Sequence, residues 1–280
     1  MNVMNIAVYT RNPALKGDKR FISLCGQLEK CGFSFSEIHS SEDLSADTGM
    51  VMSLGGDGTF LSASKRVGES GIPIIGVNMG RVGFLSEYTP EEAADALSTG
   101  TYSIEDRALL NASVEGEIIE SGSSFWPYAL NEICVHRSGA AILGIDVSVN
   151  GDDIPTYWAD GLLVSTSSGS TAYSLSVGGP ICTPDSKVLI IAPIAPHNLN
   201  VRPLIVPDST KIKIRMRCRD ERVQMSMDNR SLILRPDAAI FVEVAQFSLK
   251  KVHLEKSNFF KALTTKLFWG EDIRNNVDKR

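Results

Sequence analysis

Along the first hundred residues, apolar positions switch between two spacings. Ile6-Ala7-Val8-Tyr9 is a short contiguous run of the kind found in a buried strand. Phe21, Leu24, Cys25 and Leu28 then recur at i, i+3, i+4 and i+7, which predicts an amphipathic helix over residues 18–31, closed by Gly32. Further strands are predicted at 33–38, 50–54 and 72–77. Between the last two, Phe60, Ala63, Ser64 and Val67 share one face of a second helix, and Pro90 opens a short third helix over 90–97. Strands separated by helices predict a parallel sheet covered on both faces.

The pattern changes after about residue 102. Strand-like runs follow one another at 109–114, 132–136, 145–149, 161–165, 188–192, 211–216, 240–244 and 249–254, with turn residues between them and no long helical stripe. From Ser257, a plausible N-cap, helical spacing returns through Phe260, Leu263, Leu267 and Phe268. The expected fold is therefore an α/β domain over residues 1–101, with the tail 257–280 as a helix able to return to it. An all-β second domain is expected over 102–256.

The 280 residues carry a net charge of −5 and show no basic stripe of the sort that neutralises a nucleic-acid backbone. The five cysteines, at 25, 31, 134, 182 and 218, include no C-x-x-C pair, and the four histidines have no H-E-x-x-H spacing, so neither a disulfide framework nor a protein metal site is expected. The N-terminus reads as a strand rather than a signal peptide, and no apolar stretch is long enough to cross a bilayer. A soluble, cytoplasmic protein with neither membrane nor nucleic-acid partner is expected.

Three segments carry candidate chemistry. Gly55-Gly56-Asp57-Gly58-Thr59 joins a predicted strand to a predicted helix, where glycines permit close approach and helix N–H groups favour a phosphate. A strand-to-helix turn with Asp57 as N-cap is the plainer alternative. The adjacent amide and carboxylate of Asn131 and Glu132 suit the hydroxyls of a sugar, although a solvated turn would look the same. Residues 160–180 pass from a strand into a run of small hydroxylated residues bounded by glycines, which suits a flat polar ligand. A flexible Ser-rich linker is the alternative, but Ala172, Tyr173 and Leu175 interrupt the polar run.

Together these segments resemble the NAD kinase family. The resemblance takes in residues 55–59, Gly76-Val77-Asn78-Met79-Gly80 with Gly83-Phe84-Leu85, and Asn131-Glu132. It continues through Asp160-Gly161, residues 168–176 with Gly178-Gly179-Pro180, residues 193–197 and Arg202-Pro203-Leu204. The first fifty residues carry no such motif. The glycine-aspartate loop alone is shared with lipid kinases and 6-phosphofructokinases; the Ser/Thr/Ala/Tyr segment selects NAD kinase among them.

The resemblance implies an α/β domain and an all-β domain with the NAD site between them, ATP as phosphate donor, and Mg²⁺ or another divalent cation held mainly through substrate phosphates. It makes Asp57 the proton acceptor for the ribose 2′-hydroxyl. The dinucleotide and donor are expected to contact Asp57, Gly58, Phe84, Asn131, Glu132, Asp160, Thr171, Ala172, Tyr173, Ser174, Leu175, Ser176, Ala195 and Asp228. A homo-oligomer, dimer or tetramer, is implied as well. One departure stands out: Trp158 occupies a position that is often basic in the family. A lipid kinase and a non-catalytic NAD(H) sensor are the alternatives.

Overall fold

The computed structural model of the chain describes residues 4–80, 83–121, 125–255 and 257–270. It divides into two compact units, residues 1–105 with 250–280 and residues 106–249.

Unit 1 alternates strand and helix: β1 (Met4–Tyr9), α1 (Lys19–Lys30), β2 (Phe33–Glu37), β3 (Thr48–Leu54), α2 (Asp57–Val67), β4 (Ile74–Val77) and α3 (Pro90–Thr99). Strand β1 pairs in parallel with β2 and β3, and β3 pairs in parallel with β4. Each of these strands is followed by a helix or long connection, as parallel neighbours require. Phe21, Leu24 and Leu28, the predicted stripe of α1, are buried with Ile6, Val8, Met50, Met52 and Ile75 in one core. Helix α3 opens with a capping box between Thr89 and Glu92, has Pro90 in its first turn, and closes on Gly100 in the left-handed region.

Unit 2 is built from strands: β5 (Tyr102–Glu115), which begins in unit 1, β6 (Ile118–Ser121), β7 (Tyr128–Ala129), β8 (Glu132–Arg137), β9 (Leu143–Val149), β10 (Asp152–Ala159) and β11 (Gly161–Thr166). A short helix α4 (Tyr173–Ser176) precedes β12 (Val188–Ile194), β13 (Leu204–Pro207), β14 (Ile212–Arg217), β15 (Val223–Met227), β16 (Arg230–Leu234) and β17 (Ala239–Leu254). One sheet runs β10-β9-β14-β17, and a seven-stranded sheet runs β13-β12-β11-β8-β15-β16-β6. Ile145, Val147, Ile212, Ile214 and Ile240 of the first share a core with Val135, Leu162, Val164, Leu189 and Ile191 of the second.

The seven-stranded sheet is covered on its other face too. Cys134, Leu163, Ile190 and Ala192 are buried there against Tyr173, Val177 and Cys182. This explains the unbroken run Leu162-Leu163-Val164: successive side chains face opposite sides, and both sides are dry.

The last residues of β17 belong to unit 1, where Lys251 lies beside Ile74 of β4. The predicted strands 240–244 and 249–254 are thus one continuous strand. Helix α5 (Phe259–Leu267) is the helix that the spacing of the tail predicts, and it belongs to unit 1. Its cap is Asn258 rather than Ser257: the Asn258 Oδ1 accepts the N–H of Phe260 at 2.8 Å, while the Ser257 hydroxyl donates to Glu87.

Candidate active site

In unit 1 the candidate chemistry gathers around Asp57. Gly55 leaves β3 at φ +150°, and a Cβ at that position would meet Thr59 Oγ1 at 2.5 Å. The turn therefore depends on glycine. Helix α2 starts on Gly56 without a side-chain cap, so Asp57 is its first residue and not its N-cap.

The Asp57 carboxylate instead crosses to the loop after β4. Oδ2 accepts the N–H of Phe84 at 2.9 Å, and Oδ1 accepts those of Leu85 at 3.0 Å and Ser86 at 2.8 Å. Three successive backbone donors fix both carboxylate oxygens in place. A Cβ at position 83 would overlap the Asp57 carboxylate, which is why that loop begins with Gly83. Asn78 shapes the same loop: Nδ2 donates to Ser86 O at 3.1 Å and Oδ1 accepts the N–H of Gly80 at 2.6 Å. The two glycine motifs of the sequence thus form one structure.

Behind this loop, Glu87 pairs with the buried ammonium of Lys251 at 2.5 Å and accepts the Ser257 hydroxyl at 2.9 Å. Burial pushes the Glu87 carboxyl up, but the Lys251 charge and hydrogen bond outweigh it and hold the group below the usual range. Gly58 follows Asp57 in the first turn of α2. Phe84 packs its ring against Phe259 at 6.4 Å.

In unit 2, Asn131, Glu132 and Asp228 meet where β8 starts and β11 finishes, whereas Asp160 and Ala195 lie at the opposite end of these two strands. The Asp228 carboxylate accepts the N–H groups of Leu130 at 2.9 Å, Asn131 at 2.8 Å and Glu132 at 3.4 Å. The Asn131 carbonyl is held in turn by the N–H of Thr166 at 2.9 Å and the hydroxyl of Ser165 at 3.1 Å. Glu132 is only 9% exposed, and its carboxyl meets the backbone N–H of Tyr173. Burial, then the nearby Asp228 charge, pushes the Glu132 carboxyl up to about 8. Burial raises the Asp228 carboxyl as well, with its backbone donors opposing the shift.

Two buried polar atoms here, Glu132 Oε2 and Ser174 Oγ, have no hydrogen-bond partner among the described residues. Unpaired polar atoms in a dry setting are costly, and such atoms mark a place where a polar ligand gains by binding.

The hydroxyl-rich run divides in two. Ser165, Thr166, Ser167 and Ser170 turn inward: the Thr166 hydroxyl donates to Leu130 O at 2.6 Å, Ser167 to Pro184 O at 2.9 Å and Ser170 to Cys182 O at 3.2 Å. A flexible linker is therefore excluded, because these groups tie the segment to Leu130, Cys182 and Pro184. Thr171, Ala172, Tyr173, Ser174, Leu175 and Ser176 follow as the turn into α4 and α4 itself.

Asp160 lies between β10 and β11, and its carboxylate pairs with Arg137 Nε at 2.6 Å. Arg137 thus places a cation beside Asp160; Trp158, two residues before Asp160, is 45% exposed. The Asp160 N–H donates to Ile194 O at 3.0 Å, bringing the next residue, Ala195, close by. Ala195 adopts φ +46°, a left-handed conformation uncommon for a residue with a Cβ and a feature that recurs at functional sites.

Sequence reasoning did not single out His136 and Arg137. The His136 ring stacks on Tyr173 at 5.9 Å, and burial lowers its pKa. Both follow Glu132 on β8, but nothing in their spacing distinguished them from ordinary strand residues.

Residues 19–102 match the family model for the ATP-NAD kinase N-terminal domain, and residues 130–254 match that for the ATP-NAD kinase C-terminal domain. The first match begins well ahead of the earliest motif legible in the sequence. The chain is 38% identical to an NAD kinase of Flavobacterium psychrophilum over 92% of this chain and 88% of that one. It is 41% identical to an NAD kinase of Bacteroides fragilis over 81% and 79%. Among solved structures, an Archaeoglobus fulgidus NAD kinase in complex with ATP superposes with a TM-score of 0.76 at 26% identity, covering 95% of this chain and 99% of that one. Yeast NADH kinase complexed with NADH shares the fold, with a TM-score of 0.84 at 21% identity over 98% of this chain and 89% of that one. With a family model matched in each unit and relatives near 40% identical along most of their length, the chain belongs to the NAD kinase family.

Proposed function

We propose that the protein transfers the terminal phosphate of ATP to the 2′-hydroxyl of the adenosine ribose of NAD, giving NADP and ADP, with Asp57 as proton acceptor. The observation that carries this is the Asp57 carboxylate, fixed by three backbone donors at the mouth of a glycine loop and the start of a helix. A carboxylate beside a phosphate-binding turn would repel the ligand unless a metal ion or a proton-transfer role justified it. In the transfer, the ribose oxygen gives its proton to Asp57 and forms a bond to the terminal phosphorus. The bond from that phosphorus to the bridging oxygen breaks, and ADP leaves. A positioned base of this kind contributes about 10²–10⁴ in rate.

Residues 55–59 would support the donor phosphates through N–H groups and the helix dipole, as helix N-termini do elsewhere. A divalent cation would arrive on those phosphates, because Mg²⁺ takes its ligands largely from phosphate and water. Among the described residues no three His, Cys, Asp or Glu side chains cluster to cage one. Residues 102–256 would hold the dinucleotide. Glu132 Oε2 and Ser174 Oγ would gain partners from its hydroxyls, and Asn131, Asp160, residues 171–176, Ala195 and Asp228 would complete the contacts. Phe84 would lie along the nucleotide. The relatives bound to ATP and to NADH support this choice of ligands. A cytoplasmic homo-oligomer is part of the proposal; the edge strand β13 exposes Leu204 and Ile205, a surface suited to a second copy.

The test is to incubate purified protein with ATP, Mg²⁺ and NAD and to detect NADP⁺ with a coupled dehydrogenase. Formation of NADP⁺ separates the proposal from both a lipid kinase and an NAD(H) sensor. In Asp57→Asn, kcat should fall by about 10²-fold or more while NAD affinity is kept. Turnover near wild type would remove Asp57 as the base.

A further inference from the structure

Asp57 is held by a loop, and something must hold the loop. The donors to Asp57 belong to residues 84–86; just before them Gly83 N donates to Ser86 O at 3.2 Å, and Asn78 braces the far side. The near side is gripped by α5. Lys266, in the final turn of α5, donates from Nζ to Gly83 O at 2.5 Å. The same ammonium lies 5.0 Å from the centroid of the Phe84 ring, which also packs against Phe259 in the first turn of α5. Helix α5 therefore meets Gly83 and Phe84 through residues at both of its ends.

The Lys266 side chain is half-buried. Burial lowers its pKa, while the charges of Glu87 and Asp57 favour its cationic form and Lys251 opposes it. Even a half-buried ammonium loses hydration, a cost offset when its charge is used. Here it sits within the field of the Asp57 carboxylate and donates to the carbonyl that immediately precedes the Asp57-binding N–H groups.

We propose that Lys266 is a positioning residue for phosphoryl transfer: by tying α5 to Gly83 and Phe84 it keeps the three N–H groups aimed at Asp57, and so holds that carboxylate where the ribose hydroxyl must be deprotonated. The proposal rests on Asp57 being the proton acceptor. Lys266 does not touch the reacting atoms; it acts through the loop. Small displacements of a catalytic group cost much more in rate than in binding, so its removal should appear in kcat.

The experiment compares full-length wild type, Lys266→Met, Lys266→Arg and Asp57→Asn in steady-state kinetics with ATP, Mg²⁺ and NAD. Met keeps the length and apolar stem but has no donor; Arg keeps a donor and the charge. Lys266→Met should lower kcat by about tenfold to a hundredfold with KM for NAD and ATP within about threefold of wild type, and Lys266→Arg should recover most of the loss. A kcat within about threefold of wild type in Lys266→Met overturns the proposal. So does an equal loss in the Met and Arg variants, which would mean that only lysine's shape matters, or a loss confined to KM. Asp57→Asn keeps the two ideas separate. If it turns over normally, the proton-acceptor assignment fails and Lys266 has nothing to position. If it is inactive while Lys266→Met is normal, only the positioning role fails.

Discussion

The carboxylate of Asp228 accepts the backbone N–H of Asn131 at 2.8 Å, across 97 residues of chain. Asp228 sits in the turn between β15 and β16 at φ +51°, and its own N–H donates to Glu132 O at 3.0 Å. One turn residue therefore pins both members of the Asn131-Glu132 pair.

Asp228→Asn isolates the charge, because Asn tolerates the left-handed backbone about as well as Asp. The amide keeps one acceptor but turns its NH₂ toward a backbone donor. A hydrogen bond to a charged group is worth about 1.5–3 kcal/mol, and the variant should lose stability of that order in urea unfolding. If the pair binds NAD, KM for NAD should rise about tenfold with KM for ATP little changed. Unchanged stability and kinetics would show that the turn does not set the pair.

The raised Glu132 carboxyl makes stability depend on pH. Its folded-state pKa, about 8, lies above the ordinary 4.5, so the folded protein holds this proton more tightly than the unfolded chain does. That contribution is complete below the unfolded pKa and is lost as pH rises toward the folded one. The ligand-free protein should lose about 2 kcal/mol of unfolding free energy from this group between about pH 6 and about pH 8. Glu132→Gln should flatten that part of the profile. An identical slope in the variant would assign the dependence to another group.

Gly83→Ala tests the loop from its other end. The new Cβ would occupy the space of the Asp57 carboxylate, forcing the carboxylate off its three donors or the loop off its path. Turnover should fall by about 10²-fold, comparably with Asp57→Asn. Wild-type kcat in Gly83→Ala would show that the arrangement of Asp57 on residues 84–86 does not matter for catalysis.

The sequence by itself determined the classes of element and the identity of the family. Period 3.6 at Phe21, Leu24 and Leu28 and contiguous apolar runs such as 50–54 are local signals, and burying those side chains produced α1 and β3 as predicted. The glycine motifs were legible because turns and close approaches demand that residue type whatever surrounds them. What spacing could not encode was which distant groups would meet. Asp57 could have capped its own helix; only the packing of the loop after β4 against α2 gave it three other donors. Nothing near Lys266 in sequence marked it, since its partner Gly83 lies 183 residues earlier. The same holds for Arg137 with Asp160 and for Asp228 with Asn131: hydrogen bonds and ion pairs depend on where folded strands end, and that is fixed by burial of the whole core rather than by any local pattern.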